Sequence, residues 1–275
     1  MALAPTVQLR SGAKLPLLGL GTWPLNDDEA VDTVSLAIET GYRLIDTAEN
    51  SRNEKSVGEG IRRSGIDRDE LFVTTKFNRE HHSRDGVLRA FEASSRLLGL
   101  DYIDLLLVHW PNPDQGRFVE AVEGIAALQE RGLVRAIGTS NFKPAHLEQV
   151  IDAGIVPEVN QIQLDPERPR IEERAFHDEH GIVTESWSPL GQGSGLLDEP
   201  AVLALATAHG VTPGQVVLRW HVQQGLVAIP KSSNPERLAQ NLDVFGFELS
   251  GEELASLYNL GSGDADIADS DTFGH

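Results

Sequence analysis

The chain reads as an α/β protein built as one (β/α)8 TIM barrel with an N-terminal β-hairpin and an extra C-terminal helix. Eight short apolar, β-branched runs recur along it at roughly thirty-residue spacing, the length of a βα unit. Stretches with helical apolar periodicity separate them, the alternation that signals a parallel sheet. No Gly-x-Gly-x-x-Gly opens a helix after any run, so the fingerprint of a doubly wound dinucleotide-binding sheet is missing; Gly19-Leu20-Gly21 and Gly191-Gln192-Gly193 match it only in part.

Val7 to Pro16 reads as the hairpin, turning at Ser11-Gly12. The strands follow as Leu17–Gly19, Leu44–Asp46, Leu71–Thr75, Ile103–Val108, Val134–Gly138, Glu158–Gln161, Val183–Ser186 and Leu226–Ile229. Between the first two, Val34, Ala37 and Ile38 fall at i, i+3, i+4 and give a helix one apolar face. Thr212-Pro213 reads as an N-cap with Pro in the first turn, and Gly132 and Gly210 follow helical runs where a left-handed residue is wanted. Ser250 to Leu260 reads as the extra helix. Residues 1–275 make a single domain, with a loose acidic tail expected over 261–275.

Composition narrows the function. Forty-two acidic residues oppose 23 Lys and Arg, a net charge of −19, which repels a phosphate backbone or an anionic membrane surface. Neither nucleic acid nor membrane is expected as a partner, and an anionic ligand would need a local basic pocket. The absence of Cys excludes disulfides, thiolate metal sites and Cys nucleophiles. No leader pattern or long apolar run is read, and a cytoplasmic setting is expected.

In a barrel of this kind, catalytic groups come from the C-terminal ends of the strands. The residues closing the eight runs are Thr22 and Trp23, Asp46, Lys76, His109, Ser140 and Asn141, Gln161, Trp187 and Ser188, and Lys231. Singly, each has an ordinary reading as a cap, a solvated cation or a packed loop residue. Together an Asp, a Lys, a His, two amides and an indole at one rim suit hydride transfer to a carbonyl, in which the protein orients the substrate and protonates its oxygen. Asn141 and Gln161 can bond a carboxamide, Trp187 offers a stacking face, Asp46 holds Lys76, and His109 faces the substrate oxygen. Lys231, Ser232, Ser233 and Arg237, ahead of and within a helix start after the eighth strand, form a candidate phosphate site. Trp23, Phe77 and Trp110 suggest an apolar floor for the substrate pocket. His81, His82 and Asp85 lack a third ligand at sensible spacing, so no metal is assigned.

These residues resemble the aldo-keto reductase family, in particular the bacterial branch that includes the 2,5-diketogluconate reductases. The likeness runs from Gly19-Leu20-Gly21-Thr22-Trp23 through Gly41 to Ala48, Val108-His109-Trp110-Pro111, Gly138 to Phe142 and Val159-Asn160-Gln161 to Ile229-Pro230-Lys231-Ser232. It implies an NADPH-bound barrel, a monomer by habit, reducing aldehydes or ketones to alcohols with an Asp, Tyr, Lys, His tetrad. Asp46, Lys76 and His109 match three members, and Ser51 stands where the family has Tyr. The cofactor set so implied is Gly21, Thr22, Trp23, Asp46, Ser140, Asn141, Gln161, Trp187, Ser188, Leu190, Gln192, Lys231, Ser232, Arg237, Gln240 and Asn241, with Lys231, Ser232 and Arg237 gripping the 2′-phosphate. Gln240 replaces a common Glu, and Asp165 a common His.

A Ser hydroxyl is shorter and far less acidic than a phenol, and Tyr42, Tyr102 and Tyr258 are all expected away from the rim. Ser51 and Lys76 could hold a relaying water, His109 could serve as the acid, or the chain could bind NADPH and turn nothing over. A silent NADPH-binding sensor or regulatory barrel is therefore the alternative to an altered reductase. A Schiff-base lyase using Lys76 is a further rival.

Overall fold

The computed structural model describes residues 3–261 and 267–274. β1 (Thr6–Gln8) and β2 (Lys14–Pro16) pair antiparallel, Val7 opposite Leu15, with Gly12 at φ 88° in the turn. Then come β3 (Leu20–Gly21), α1 (Asp27–Thr40), β4 (Leu44–Asp46), α2 (Glu54–Ser64), β5 (Phe72–Phe77), α3 (Arg84–Leu98), β6 (Ile103–Val108) and α4 (Phe118–Glu130). β7 (Val134–Ser140), α5 (Pro144–Asp152), β8 (Val159–Gln163), α6 (Ile171–His180) and β9 (Val183–Trp187) continue the alternation. Two helices, α7 (Pro200–His209) and α8 (Pro213–Gln223), precede β10 (Val227–Ala228), α9 (Pro235–Leu242) and α10 (Gly251–Tyr258).

β3 to β10 form one parallel sheet in chain order. Its ends meet where Leu18 bridges Ala228 and the Gly21 N–H donates to the Pro230 carbonyl, so the sheet closes on itself. The first barrel strand is the largest shift from expectation. Residues 17 to 21 serve two neighbours, Leu18 toward Ala228 and Leu20–Gly21 toward Ile45–Asp46, and the regular ladder therefore lies later than the apolar run Leu17–Gly19.

Strand alternation sorts the core into an inner and an outer set. Leu44, Phe72, Leu105, Leu107, Ala136, Val159, Val227 and Ile229 fill the interior, and Leu9 and Leu15 of the hairpin join them. The opposite faces pack Ile45, Val73, Leu106, Ile137 and Phe77 against the helices, where Val34, Ala37 and Ile38 of α1 lie as their spacing predicts. Thr212 caps α8 by accepting from the Gln215 N–H, and Ser250 caps α10 from Glu253.

The acidic tail is not loose where it is described. Lys143 holds Asp269 and Asp271 at 2.6 Å each, His146 lies 2.9 Å from Asp271, and the Phe273 ring meets Trp110 edge-on at 4.8 Å. Residues 262–266 and 275 of that expectation lie outside the described residues.

The helix layer is tight enough to specify single atoms. A Cβ on Gly58 of α2 would sit 2.2 Å from the Leu98 carbonyl oxygen at the end of α3. Gly58→Ala should therefore cost about 1–3 kcal/mol through overpacking, read as a lower urea midpoint with an unchanged m-value. A midpoint equal to that of the unaltered chain would show that the two helices are less closely docked.

Candidate active site

Asp46, the last residue of β4, and Lys76, near the end of β5, face each other inside the barrel mouth, each about 5 % exposed. The Lys76 Nζ donates to Asp46 Oδ1 at 2.7 Å and to the Thr47 carbonyl at 3.0 Å. Gln161 of β8 donates from Nε2 to Asp46 Oδ2 at 2.8 Å, so both carboxylate oxygens are taken. Two of the three ammonium protons are used, which leaves one for a group in the cavity.

That cavity encloses about 360 Å³, a size suited to a small-molecule ligand. Asp46, Lys76, Gln161 and Ser140 line its base, with His109, Asn141, Trp187, Ser188 and Lys231 around them and Gly21, Thr22, Trp23, Ser51, Trp110 and Gln192 completing the wall. The barrel thus brings these distant strand ends into one space. A side chain on Gly21 would collide with the Ile229 carbonyl at 2.7 Å, so the backbone there must stay bare. Trp187 is held by its Nε1, which donates to Asn141 Oδ1 at 2.9 Å, and Asn141 donates from Nδ2 to the His109 carbonyl and Ser140 Oγ at 3.0 Å each. Asn141 and Ser188 both adopt left-handed backbone, at φ 62° and 52°, a cost that non-glycine residues meet mostly at functional sites. Because the Asn141 amide is spent on Trp187 and the backbone, it acts here as the brace of the indole; an added carboxamide would meet it already bonded.

Ser51 closes a short turn, Glu49–Ser51, after β4, and it lines the cavity beside Asn50 and Ala48. None of the three tyrosines reaches this space. Tyr42 is buried with its hydroxyl on the Leu238 carbonyl, Tyr102 stacks under Arg68 and Arg135, and Tyr258 bonds Gln224 and Arg174. The His109 ring is half-buried, its Nδ1 3.4 Å from Asn78 Oδ1. Asn53 fixes the loop behind Ser51, donating to the Thr22 and Leu25 carbonyls and accepting from Thr47 Oγ1.

Phe77 requires a correction. It is 1 % exposed, packs in the layer between strands and helices with its edge toward His82, and does not line the cavity. Lys76 points inward, so its neighbour must point out. Trp23, at 59 % exposure, forms the lip of the pocket and not its floor. Leu190 is a half-buried packing residue, and Gln192 alone of that loop pair lines the cavity.

Beyond Lys231 the α9 start carries the candidate phosphate group. Ser232 is buried, Arg237 donates from Nε to Ser232 Oγ at 3.4 Å, and Asn234 caps the helix by accepting from the Arg237 N–H. Gln240 bonds Glu236, and Asn241 is buried. Asp165 is wholly buried in its own turn with Arg168, not at the rim.

Several residues of the cavity lie outside the strand-end pattern. Phe273 arrives from the tail, Asn50 and Thr47 from the loop after β4, and Ile229 from β10's extension. Glu185 of β9 lies inside the barrel, completely buried, and was passed over within an apolar run. Glu49, Glu80 and His81 each bring a ligand atom within 4.8 Å of the others. The Glu49 oxygens, however, already accept from the Asn78 N–H and meet the His81 ring at 3.0 Å. Burial opposes the charge on Glu49, yet the His81 and Asn78 contacts outweigh it and hold that carboxyl low, while Glu49 holds His81 high. This is a satisfied ion pair with an exposed Glu80 beside it.

The closed barrel and its rim belong to a known class. The aldo/keto reductase family profile matches residues 17–261, and the chain is a member of that family. It is 48 % identical over 269 residues to 2,5-diketo-D-gluconic acid reductase B of a Corynebacterium species, covering 98 % of this chain and 97 % of that one. To the methylglyoxal reductase DkgA of Escherichia coli it is 42 % identical over 276 residues, covering both chains in full. A mutant of Gox0644 solved in complex with NADPH superposes with a TM-score of 0.94 at 42 % identity, covering 99 % of each chain.

The buried pair makes a stability prediction. Lys76→Met leaves Asp46 charged and uncompensated and should cost about 3–5 kcal/mol in urea unfolding, whereas the double variant Asp46→Leu with Lys76→Met should recover most of that loss. A double variant as unstable as the sum of the singles would mean that the two groups do not act as a pair.

Proposed function

We propose that this chain reduces aldehydes or ketones to alcohols with NADPH, slowly because Ser51 cannot act as a phenol would. One observation carries the reading: the Asp46–Lys76–Gln161 network, His109 and the braced Trp187 all open into a cavity whose far side holds Lys231. The residues fit the cofactor. Trp187 gives a fixed aromatic face, Gln161 and Ser140 polar groups at the base, Gly21 the bare backbone that close approach demands, and Lys231, Ser232 and Arg237 a cationic seat for a terminal phosphate at the α9 N-terminus. A 2′-phosphate so held favours NADPH over NADH. When bound, NADPH supplies the hydride for the carbonyl carbon.

What the protein must add is orientation and a proton. His109 faces the cavity and would hold the substrate oxygen, polarising it as charge develops there, while the spare Lys76 N–H is left for a water. Asp46 keeps the ammonium in place. The proton passes from Lys76 to the substrate oxygen through a water seated beside Ser51, in the space a longer side chain would fill. Trp23, Trp110 and Phe273 give the mouth an apolar, aromatic lining, suited to small carbonyl compounds, reactive dicarbonyls among them. A monomer and a cytoplasmic setting belong to the same proposal; a chain without Cys carries no disulfide that would call for an oxidising compartment. Among the described residues no single helix is long and apolar enough to cross a membrane.

Restoring the phenol tests the role of position 51. A positioned general acid contributes on the order of 10²–10⁴ in rate, so Ser51→Tyr should raise NADPH oxidation with a reactive dicarbonyl by at least about tenfold. No gain, with NADPH still binding, would favour the silent barrel. Arg237→Ala should weaken NADPH by roughly tenfold and NADH little, the loss of one charge-assisted phosphate contact; equal losses for both would move the phosphate seat elsewhere.

A further inference from the structure

Inside the barrel, next to the Asp46–Lys76 pair, lies a carboxyl group that the reaction above does not use. Alternation along β9 puts Val183, Glu185 and Trp187 on its inner face, and Val183 and Trp187 pack on the interior apolar cluster. Glu185 is 0 % exposed, and neither of its oxygens meets a hydrogen-bond partner at good geometry. Its register neighbours are Gln161 on β8 and Val227 on β10. One N–H of Gln161 Nε2 goes to Asp46, and two of the Lys76 protons go to Asp46 and Thr47. The charged groups that face Glu185 are thus Asp46 from β4 and Lys76 from β5, while β8 and β10 present an amide and a hydrocarbon. On its outer side, neighbouring Ser186 bonds the Leu164 carbonyl at 2.5 Å and meets His221 of α8 at 3.2 Å, away from the barrel interior.

An ionised carboxylate in such a place would lack solvent and have little more than the second Gln161 N–H to draw on, which is costlier than keeping its proton. The one nearby cation already has a counter-ion. We propose that Glu185 is a positioning residue, held as a neutral carboxylic acid beside the Asp46–Lys76 pair, and that loss of its proton pulls Lys76 and Gln161 away from Asp46 and loosens the cofactor seat. By staying neutral it leaves Asp46 as the sole counter-ion of the ammonium. Burial first, and the Asp46 charge second, push the Glu185 carboxyl up to about 8, against the opposing pull of Gln161 and Lys76.

The sign of the pH effect follows. An unfolded Glu releases its proton near about 4.3, so between there and about 8 the folded chain binds the extra proton. Stability from this group is therefore greatest in acid, falls as pH rises across that window and levels off above it. The consequence for the cofactor rests on the reductase reading; the protonation itself does not.

The test uses the full chain and Glu185→Gln, which keeps the shape and cannot ionise. Without cofactor, the infrared difference between the two should show the carbonyl stretch of a protonated carboxylic acid at about pH 6.5, fading between about pH 7 and 9. The unfolding temperature of Glu185→Gln relative to the unaltered chain should rise from about pH 4.3 to about 8 and level off above that. NADPH affinity of the unaltered chain should weaken by at least about threefold more than that of Glu185→Gln from about pH 6.5 to 9. A carboxylate band at about pH 6.5, or an acid band that persists beyond about pH 9, overturns the proposal. So does a titrating band with matched NADPH affinities, which removes the positioning role. If Glu185→Gln fails to fold, Glu185→Met takes its place; failure of both overturns the idea, because a neutral, unbonded side chain should tolerate an uncharged one of similar size. An acid band with no NADPH binding at any pH would sink the reductase reading and the cofactor half of the proposal together, and leave the protonation standing.

Discussion

An ammonium and a carboxylate 2.7 Å apart, both all but removed from water, sit at the mouth of the barrel where five separate strands must agree on their position. Lys76 comes from β5, Asp46 from β4, the amide that occupies the second Asp46 oxygen from β8, and the brace around Trp187 from β7 and β9. A pair this buried is stable only when its remaining lone pairs and protons are satisfied. Gln161 and the Thr47 carbonyl do that, and closure of the sheet between Leu18 and Ala228 brings those strands round. Fold and site are in this sense one constraint: the barrel is the device that lets residues more than a hundred positions apart share two oxygens.

The division of labour around the pair is equally physical. Asn141 is spent on holding an indole, Asn53 on fixing the loop that carries Ser51, and the Asn78 side chain on the edge of the His109 ring, its backbone N–H going to the Glu49 carboxylate. These side chains touch the walls of the site and set where the reacting groups stand. On the proposed reading, position 51 lacks the phenol that would donate the proton, while Asp46, Lys76 and His109 line the same cavity. The cavity is charge-balanced and no tyrosine among the described residues lines it, so cofactor affinity and turnover separate here as questions.

Much of this was legible in the sequence, because two periodicities carry it. A residue that ends an apolar β run in a parallel barrel faces the rim, and that rule found Asp46, Lys76, His109, Asn141, Gln161, Trp187 and Lys231 from eight short segments. The same alternation, applied one residue further, would have turned Phe77 outward and drawn attention to Glu185, two places before Trp187 on the same face. The errors at β3 and in the tail have a different origin. Leu18 and Leu20 serve different partners, and the tail is fixed by Lys143, His146 and Trp110, groups over a hundred residues earlier. Local pattern holds no record of such contacts. Composition suggested a solvated acidic end, and pairing with a few cations tied part of it down.

The central claim is that acid, ammonium, imidazole and indole converge on a reduced dinucleotide within the barrel mouth. A crystal structure of the chain with NADPH tests it most directly. The account predicts the nicotinamide ring against Trp187, with Gln161 and Ser140 at its amide and the 2′-phosphate on Lys231, Ser232 and Arg237. A dinucleotide bound outside this cavity, or its phosphate on other residues, would contradict it.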